Sequence, residues 1–259
     1  MARGMNKVML IGFVEHKPEI RHTASGQPVA AFSVSTSRHW TNNAGEDRST
    51  TEWFNVVTWG DLAEATVAQL QKDQRLYVEG HLQTRSWDDA RGQRHIRTEV
   101  VACKLIPMET REAIAARNAE SAGNGGCPCL NQVMVIGNLG RNPEMRYTPD
   151  GQAVTCFSLA ATRSWTSSQG GRSDSTEWFN VVSWGGLAEI CNQYLTKGRR
   201  VYVEGELRTR GWEQPDGNKQ FRTELVAKEM IMLGDRRDNS QSADDEDSYS
   251  EAEEDEFPF

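Results

Sequence analysis

Apolar and polar positions alternate with a period of two through most of this chain, the pattern of strands that bury one face. Residues 6–14, 29–40, 51–60, 75–87 and 94–107 are rich in β-branched and aromatic side chains and are bounded by Gly, Asn or Asp. Each is predicted to be a strand. Within 75–87, Leu76, Val78, Gly80 and Leu82 fall on one side, as a core face should, and Tyr77, Glu79, His81, Gln83, Arg85 and Trp87 fall on the other. A single stretch changes to helical spacing: Leu187, Ile190, Cys191, Tyr194 and Leu195 recur at i, i+3, i+4, i+7 and i+8. Leu62 and Leu70 keep the ends of the same face earlier in the chain, with Ala65, Thr66 and Gln69 between them.

The pattern occurs twice. Sliding the chain by 125 positions lays residues 5–108 on 130–233 without a gap, with about half of the pairs identical. Thr-Glu-Trp-Phe-Asn-Val-Val at Thr51 returns at Thr176, and Tyr-Val-Glu-Gly at Tyr77 returns at Tyr202. A period this long makes each copy a whole domain rather than a solenoid repeat. Five strands with one short helix between the third and fourth is the layout of an OB-fold, a five-stranded Greek-key barrel. The fold class read here is therefore all-β: two tandem OB-folds at 1–108 and 130–234, a linker at 109–129 and a tail at 235–259. The first half of the linker is Ala-, Glu- and Arg-rich and suits a short helix; Ser121-Ala-Gly-Asn-Gly-Gly suits a flexible connection.

Aromatic and basic residues share strand faces. All eight Trp fall into four repeat pairs, Trp40/Trp165, Trp53/Trp178, Trp59/Trp184 and Trp87/Trp212. In the second copy Val201, Val203, Gly205 and Leu207 are the inward set, while Tyr202, Glu204, Glu206, Arg208, Arg210 and Trp212 point outward. Trp53 and Trp59 have the opposite parity from Phe54 and Val56, but both sides of that strand are apolar and alternation leaves open which is inside. Trp40 shares parity with Phe32 and Val34 and is exposed only where the strand ends or bulges before it. Eight Trp is a heavy load for two small barrels that have Phe and Leu for their cores. Single-stranded nucleic acid stacks unpaired bases on such rings while Arg and Lys neutralise phosphates. The candidate phosphate contacts are Lys7, Arg21, Arg38, Arg85, Arg97, Arg146, Arg163, Arg208, Arg210 and Arg222.

The charge distribution bears on the same question. The net charge of −8 argues against a nucleic-acid partner until it is divided: residues 239–259 alone carry −9, which leaves +1 for the rest. That tail is Ser, Asp and Glu almost to its end, too polar to offset its ordering entropy, and is expected to be disordered. Phe257-Pro258-Phe259 is out of character for a merely solubilising tail.

Other features narrow the function class. No apolar run approaches the ~18 residues of a membrane helix, and the stretch from Val8 to Val14, interrupted by Gly12, has no small-residue cleavage site. A cytoplasmic, membrane-free protein is expected. Five irregularly spaced Cys argue against a disulfide scaffold, and Cys127-Pro-Cys129 lacks a second ligand pair, so no metal or cofactor is assigned. None of the five His recurs in the second copy, and no zinc-protease or phosphate-loop motif is present. Glu52/Glu177 and Glu99/Glu224 could in principle supply a nuclease's carboxylates, but their alternation with apolar or Thr positions suits strand pairing or turns better. An RNA-binding OB protein or RNA chaperone stays open, because nothing here reads or rejects a 2′-hydroxyl.

Met1-Ala-Arg-Gly-Met-Asn-Lys-Val, the repeated Thr-Glu-Trp-Phe-Asn-Val-Val and Tyr-Val-Glu-Gly, and the terminal Asp255-Glu256-Phe257-Pro258-Phe259 resemble bacterial single-stranded DNA-binding proteins. The resemblance covers both repeats and the tail, and its two-domain form is similar to the Deinococcus–Thermus type. It implies sequence-independent binding of single-stranded DNA in replication, recombination and repair, and a homodimer presenting four OB domains. It implies base stacking by Trp40, Trp53, Trp59 and Trp87 and their partners. It also implies recruitment of replication and repair enzymes through the C-terminal tip, and a nucleoid-associated location. Gln83 facing Arg208, and Ser86 and Gly211 where the family commonly has Lys, depart from that pattern.

Overall fold

The computed structural model describes residues 4–42, 45–88, 94–120, 129–166, 171–213 and 219–234; Cys127 and the acidic tail, with its Asp255 to Phe259 tip, lie outside them. The first repeat runs β1 (Met5–Val14), β2 (Glu19–His22), β3 (Pro28–Thr41), β4 (Asp47–Trp59), α1 (Asp61–Gln69), β5 (Gln74–Asp88) and β6 (Arg94–Thr110). After α2 (Arg111–Glu120) the second repeat follows the same order, with β7 (Leu130–Leu139), β8 (Glu144–Tyr147), β9 (Ala153–Thr166), β10 (Arg172–Trp184), α3 (Gly185–Tyr194), β11 (Arg200–Glu213) and β12 (Lys219–Met232). All five alternating segments of each repeat are strands. β2 and β8 are additions: four largely exposed residues each carry no burial signal for a sequence pattern to detect.

Each repeat closes on itself because its first strand pairs with two others. β1 joins β5 along Val8–Phe13 and bends to meet β3 at Phe13 and Val14; β4 and β6 supply the one parallel pair. β7 does the same with β11 and β9. The inward set of β5, Leu76, Val78 and Leu82, is buried with Val8, Leu10, Phe32, Val34, Phe54 and Val56, and the second barrel repeats this. Each first strand is finished by an asparagine. Asn6 donates its amide to the Leu82 carbonyl and accepts from the Leu82 N–H, and Asn131 does the same with Leu207.

The barrels are not beads on a string. β1 pairs antiparallel with β7 from Met5↔Ile136 to Ile11↔Leu130, which places Val8 opposite its own repeat counterpart Val133. One sheet of twelve strands therefore runs through both repeats, related by a local two-fold at that pair.

The helices correct the periodicity reading. In α3 the buried residues are Ala188 and Cys191, with Leu195 just beyond; Ile190 and Tyr194 are exposed. In α1 they are Ala63 and Thr66, with Leu70 following, while Leu62 is only half-buried. A short helix plugging a barrel end inserts a narrow strip, so small residues fill it and the wider apolar face goes unused. Among the described residues, no helix is long and apolar enough to cross a membrane.

Candidate nucleic-acid interface

β3 and β4 run on past the barrel as a two-stranded arm, paired out to Thr41↔Asp47. Beyond the barrel's end both faces of the arm meet solvent, and this exposes Trp40 despite its core parity. In the barrel part of β4, Phe54, Val56 and Thr58 turn inward; Trp53 points out and is 60% exposed, and Trp59 is half-buried. In the second copy Trp178 is 51% exposed, its ring lying where a side chain on Gly140 would be, and Trp184 is also exposed. The side chains of Trp87, Trp165 and Trp212 fall outside the described residues, although their backbones lie in β5, β9 and β11.

The basic residues divide into three groups. Arg85 and Arg97 are directly opposite each other across β5 and β6, and Glu99 lies 3.9 and 3.8 Å from them. Arg97 also donates to the Asn55 side chain, two residues from Trp53, and Arg85 lies 6.0 Å above the Trp59 ring. The second copy repeats this row: Arg210 faces Arg222, Arg222 donates to Asn180 at 2.6 Å, and Glu224 lies beside both guanidiniums. Burial raises the Glu224 carboxyl's pKa while Arg210 and Arg222 lower it, with a net rise. Arg21 and Arg146 belong to the same register: Arg21 pairs with Val29, which pairs with Trp59, and Arg146 with Val154 and Trp184.

A second group lies where the arms cross the seam between repeats. Arg38 stacks 4.6 Å over Trp40 and comes within 3.5 Å of Glu206 on β11 of the other repeat. Glu206 was expected outside but is buried, because Arg38, Arg208 and Lys228 converge on it from both repeats. Burial pushes its carboxyl up, but hydrogen bonds from Lys228 and Arg208 outweigh this and hold it below the usual range. At the symmetric place Arg163 meets His81 at 3.2 Å, and burial together with that guanidinium takes the imidazole down to about 4. Glu52 and Glu177 belong here too. Each carboxylate reaches across the seam, Glu52 accepting from the Thr209 N–H and Glu177 from the Thr84 N–H, both at 3.0 Å. Both residues also pair within their own barrels, Glu52 with Thr36 and Glu177 with Ala161, as the sequence pattern suggests; the contact across the seam is additional. Burial raises both carboxyls.

Lys7 stands apart. It lies on the outer face of the β1–β7 sheet, 2.8 Å from Glu79, which also accepts from the Tyr77 hydroxyl. The corresponding cluster in the second copy is Gln132, Glu204 and Tyr202, whose hydroxyl is pushed up to about 12 by its bond to Glu204.

The His81 site gives a pH prediction. Between its unfolded value near 6.5 and about 4, the unfolded chain binds a proton that the folded chain refuses, so acidification through that window costs stability. Raised carboxyls such as Glu52 and Glu177 act in the opposite direction, so a variant must isolate the histidine. The melting temperature of His81→Gln is expected to rise relative to wild type on going from about pH 7.5 to about pH 5. A difference independent of pH contradicts this.

Among the described residues no group of three His, Cys, Asp or Glu is placed to hold a metal, and Cys103, Cys129, Cys156 and Cys191 are free thiols. Sequence reasoning missed Ile96 and Phe221, repeat counterparts that are 59% and 65% exposed beside these rows. Both share the parity of core residues such as Val100 and Leu225, and only knowledge of where the barrel ends puts them in solvent.

A sequence profile of the Single-strand binding protein family matches residues 5–108 and 130–233, one match per barrel. The chain belongs to that family. A single-stranded DNA-binding protein of Deinococcus radiodurans is 32% identical over 245 residues, 93% of this chain and 80% of its own length. One from Xylella fastidiosa is 47% identical over 112 residues, 43% of this chain and 82% of its own. The crystal structure of the wild-type single-stranded DNA-binding protein of Thermus aquaticus superposes with a TM-score of 0.68 at 28% identity, covering 93% of this chain and 98% of that one. The Deinococcus and Thermus relatives thus match this chain across both of its barrels.

Proposed function

We propose that this chain binds single-stranded DNA without regard to sequence, by stacking bases on indoles and meeting phosphates with guanidiniums. The observation that carries this reading is the position of Trp53 and Trp178, more than half exposed beside the Asn55–Arg97 and Asn180–Arg222 pairs. A solvent-facing ring next to a hydrogen-bonded guanidinium offers a base and its phosphate adjacent partners, and any base has a face to stack. Trp40, Trp59 and Trp184 extend the track, with Trp87, Trp165 and Trp212 as its remaining aromatics. Arg38, Arg85, Arg97, Arg163, Arg208, Arg210 and Arg222 line it, and Arg21 and Arg146 continue its register. Lys7, tied to Glu79, is a poor phosphate contact. The family, and the names of relatives that match over most of the chain, support DNA as the ligand.

The role is binding rather than catalysis, serving replication, recombination and repair in the cytoplasm and nucleoid. The assembly is a homodimer displaying four barrels, and Asp255-Glu256-Phe257-Pro258-Phe259 is the contact for partner enzymes. The test is titration with a dT oligomer at several salt concentrations. Affinity is expected to fall at a log–log slope of roughly −0.7 per phosphate contacted, and light scattering is expected to give twice the chain mass. Affinity indifferent to salt, or a preference for rU over dT, contradicts the reading.

A further inference from the structure

The first repeat's track borders a cleft of about 360 Å³ that residues of both repeats line. Its floor is buried and apolar: Phe54 and Leu82 from the first repeat and Leu207 from the second. Trp53, Ile96 and Phe221 form its rim, all more than half exposed, so three large apolar side chains stand around an opening rather than filling it. Thr209 and Thr223 line it from the second repeat, and Arg97, held by Asn55, lines it from the first. The Thr209 wall is fixed by the bond from its N–H to Glu52, the residue before Trp53.

We infer that this cleft takes one nucleobase of a single-stranded DNA as the strand passes from one barrel to the other. The inference rests on the function proposed above and adds a subsite to it. The volume is at the small end of the ~300–1,000 Å³ range of ligand clefts and suits a flat group of base size. The rim offers an indole and a phenyl for the base's faces, and Thr223 in the lining carries a hydroxyl that can donate to or accept from any base's edge. Arg97 sets a positive charge where the flanking phosphate lies. The cleft is continuous with the Trp53 track, which is why DNA is its occupant. The two repeats are not equivalent here, since the aromatic Phe221 stands opposite the aliphatic Ile96.

The experiment uses the full chain and dT oligomers in which 5-iodo-2′-deoxyuridine replaces one thymidine at successive positions. After irradiation, cross-linked peptides are mapped by mass spectrometry. Phe221 and Trp53 are expected to cross-link to the same or adjacent nucleotides, and Phe221→Ala is expected to lower dT affinity about tenfold with unchanged melting temperature. Cross-links at Trp53 with none at Phe221, together with wild-type affinity for Phe221→Ala, overturn the subsite and leave the stacking track standing. A wild-type chain that retains no dT oligomer overturns both.

Discussion

Replacing Trp53 and Trp178 with alanine in the same chain is expected to weaken dT binding by about 100-fold, while the protein melts where the wild type does. Each stacked base is worth ~1–3 kcal/mol, and two lost stacks in the lower part of that range, about 1.4 kcal/mol each, give that factor. The melting temperature is the control that makes the loss interpretable. An alanine in place of a buried aromatic costs ~3–5 kcal/mol of stability, but these rings are 60% and 51% exposed and cover little of the core. The two sites are repeat counterparts in separate barrels, so their effects are expected to add. Affinity within about threefold of wild type, measured by fluorescence anisotropy of a labelled oligomer, would remove these rings from the track.

The largest stability effect is expected at Gly205. A Cβ there would sit 2.0 Å from the Val226 carbonyl oxygen and 2.8 Å from its carbon, because β11 shifts register against β12 between Glu204 and Gly205 and the backbones close up at that bulge. The obstacle is main chain of the facing strand and cannot turn aside. Gly205→Ala is therefore expected to cost about 3 kcal/mol, at the upper end of overpacking penalties. Gly186→Ala serves as comparison: it lies at the start of α3, where an added Cβ would meet nothing within 4 Å, and is expected to be neutral or to gain about half a kcal/mol. Urea unfolding followed by circular dichroism reads both. Equal midpoints for the two variants would mean that the close approach is not a constraint. The first barrel carries the same device at Gly80, 2.2 Å from the Val101 oxygen, which gives a physical reason for glycine at the end of both Tyr-Val-Glu-Gly segments.

Strand alternation made the barrels legible because each strand buries one face. Leu76, Val78 and Leu82 could be placed inside from sequence, and so could Val201, Val203 and Leu207. Where burial comes from something other than the strand's own barrel, alternation failed. Glu206 has outward parity and is buried by the other repeat's arm, and no pattern within one repeat records that arm. Glu52 and Glu177 are strand residues as their pattern indicates, but the bonds their carboxylates accept from Thr209 and Thr84 come from the opposite repeat, which no pattern within one repeat records. Trp40, Ile96 and Phe221 show the converse: core parity continues into segments that have left the core, so exposure there depends on where the barrel ends. The α3 periodicity overstated burial at Ile190 and Tyr194, because an apolar helix face is a permission to bury and the barrel end accepts only a strip of it.

Binding by this mode lays bases against indoles, and the emission of those indoles on addition of dT reports it most directly. Wild-type protein is expected to lose most of its tryptophan fluorescence at saturation, with the Trp53→Ala, Trp178→Ala chain losing a visibly smaller share. A loss of less than about a fifth at saturating DNA would contradict stacking as the mode of binding.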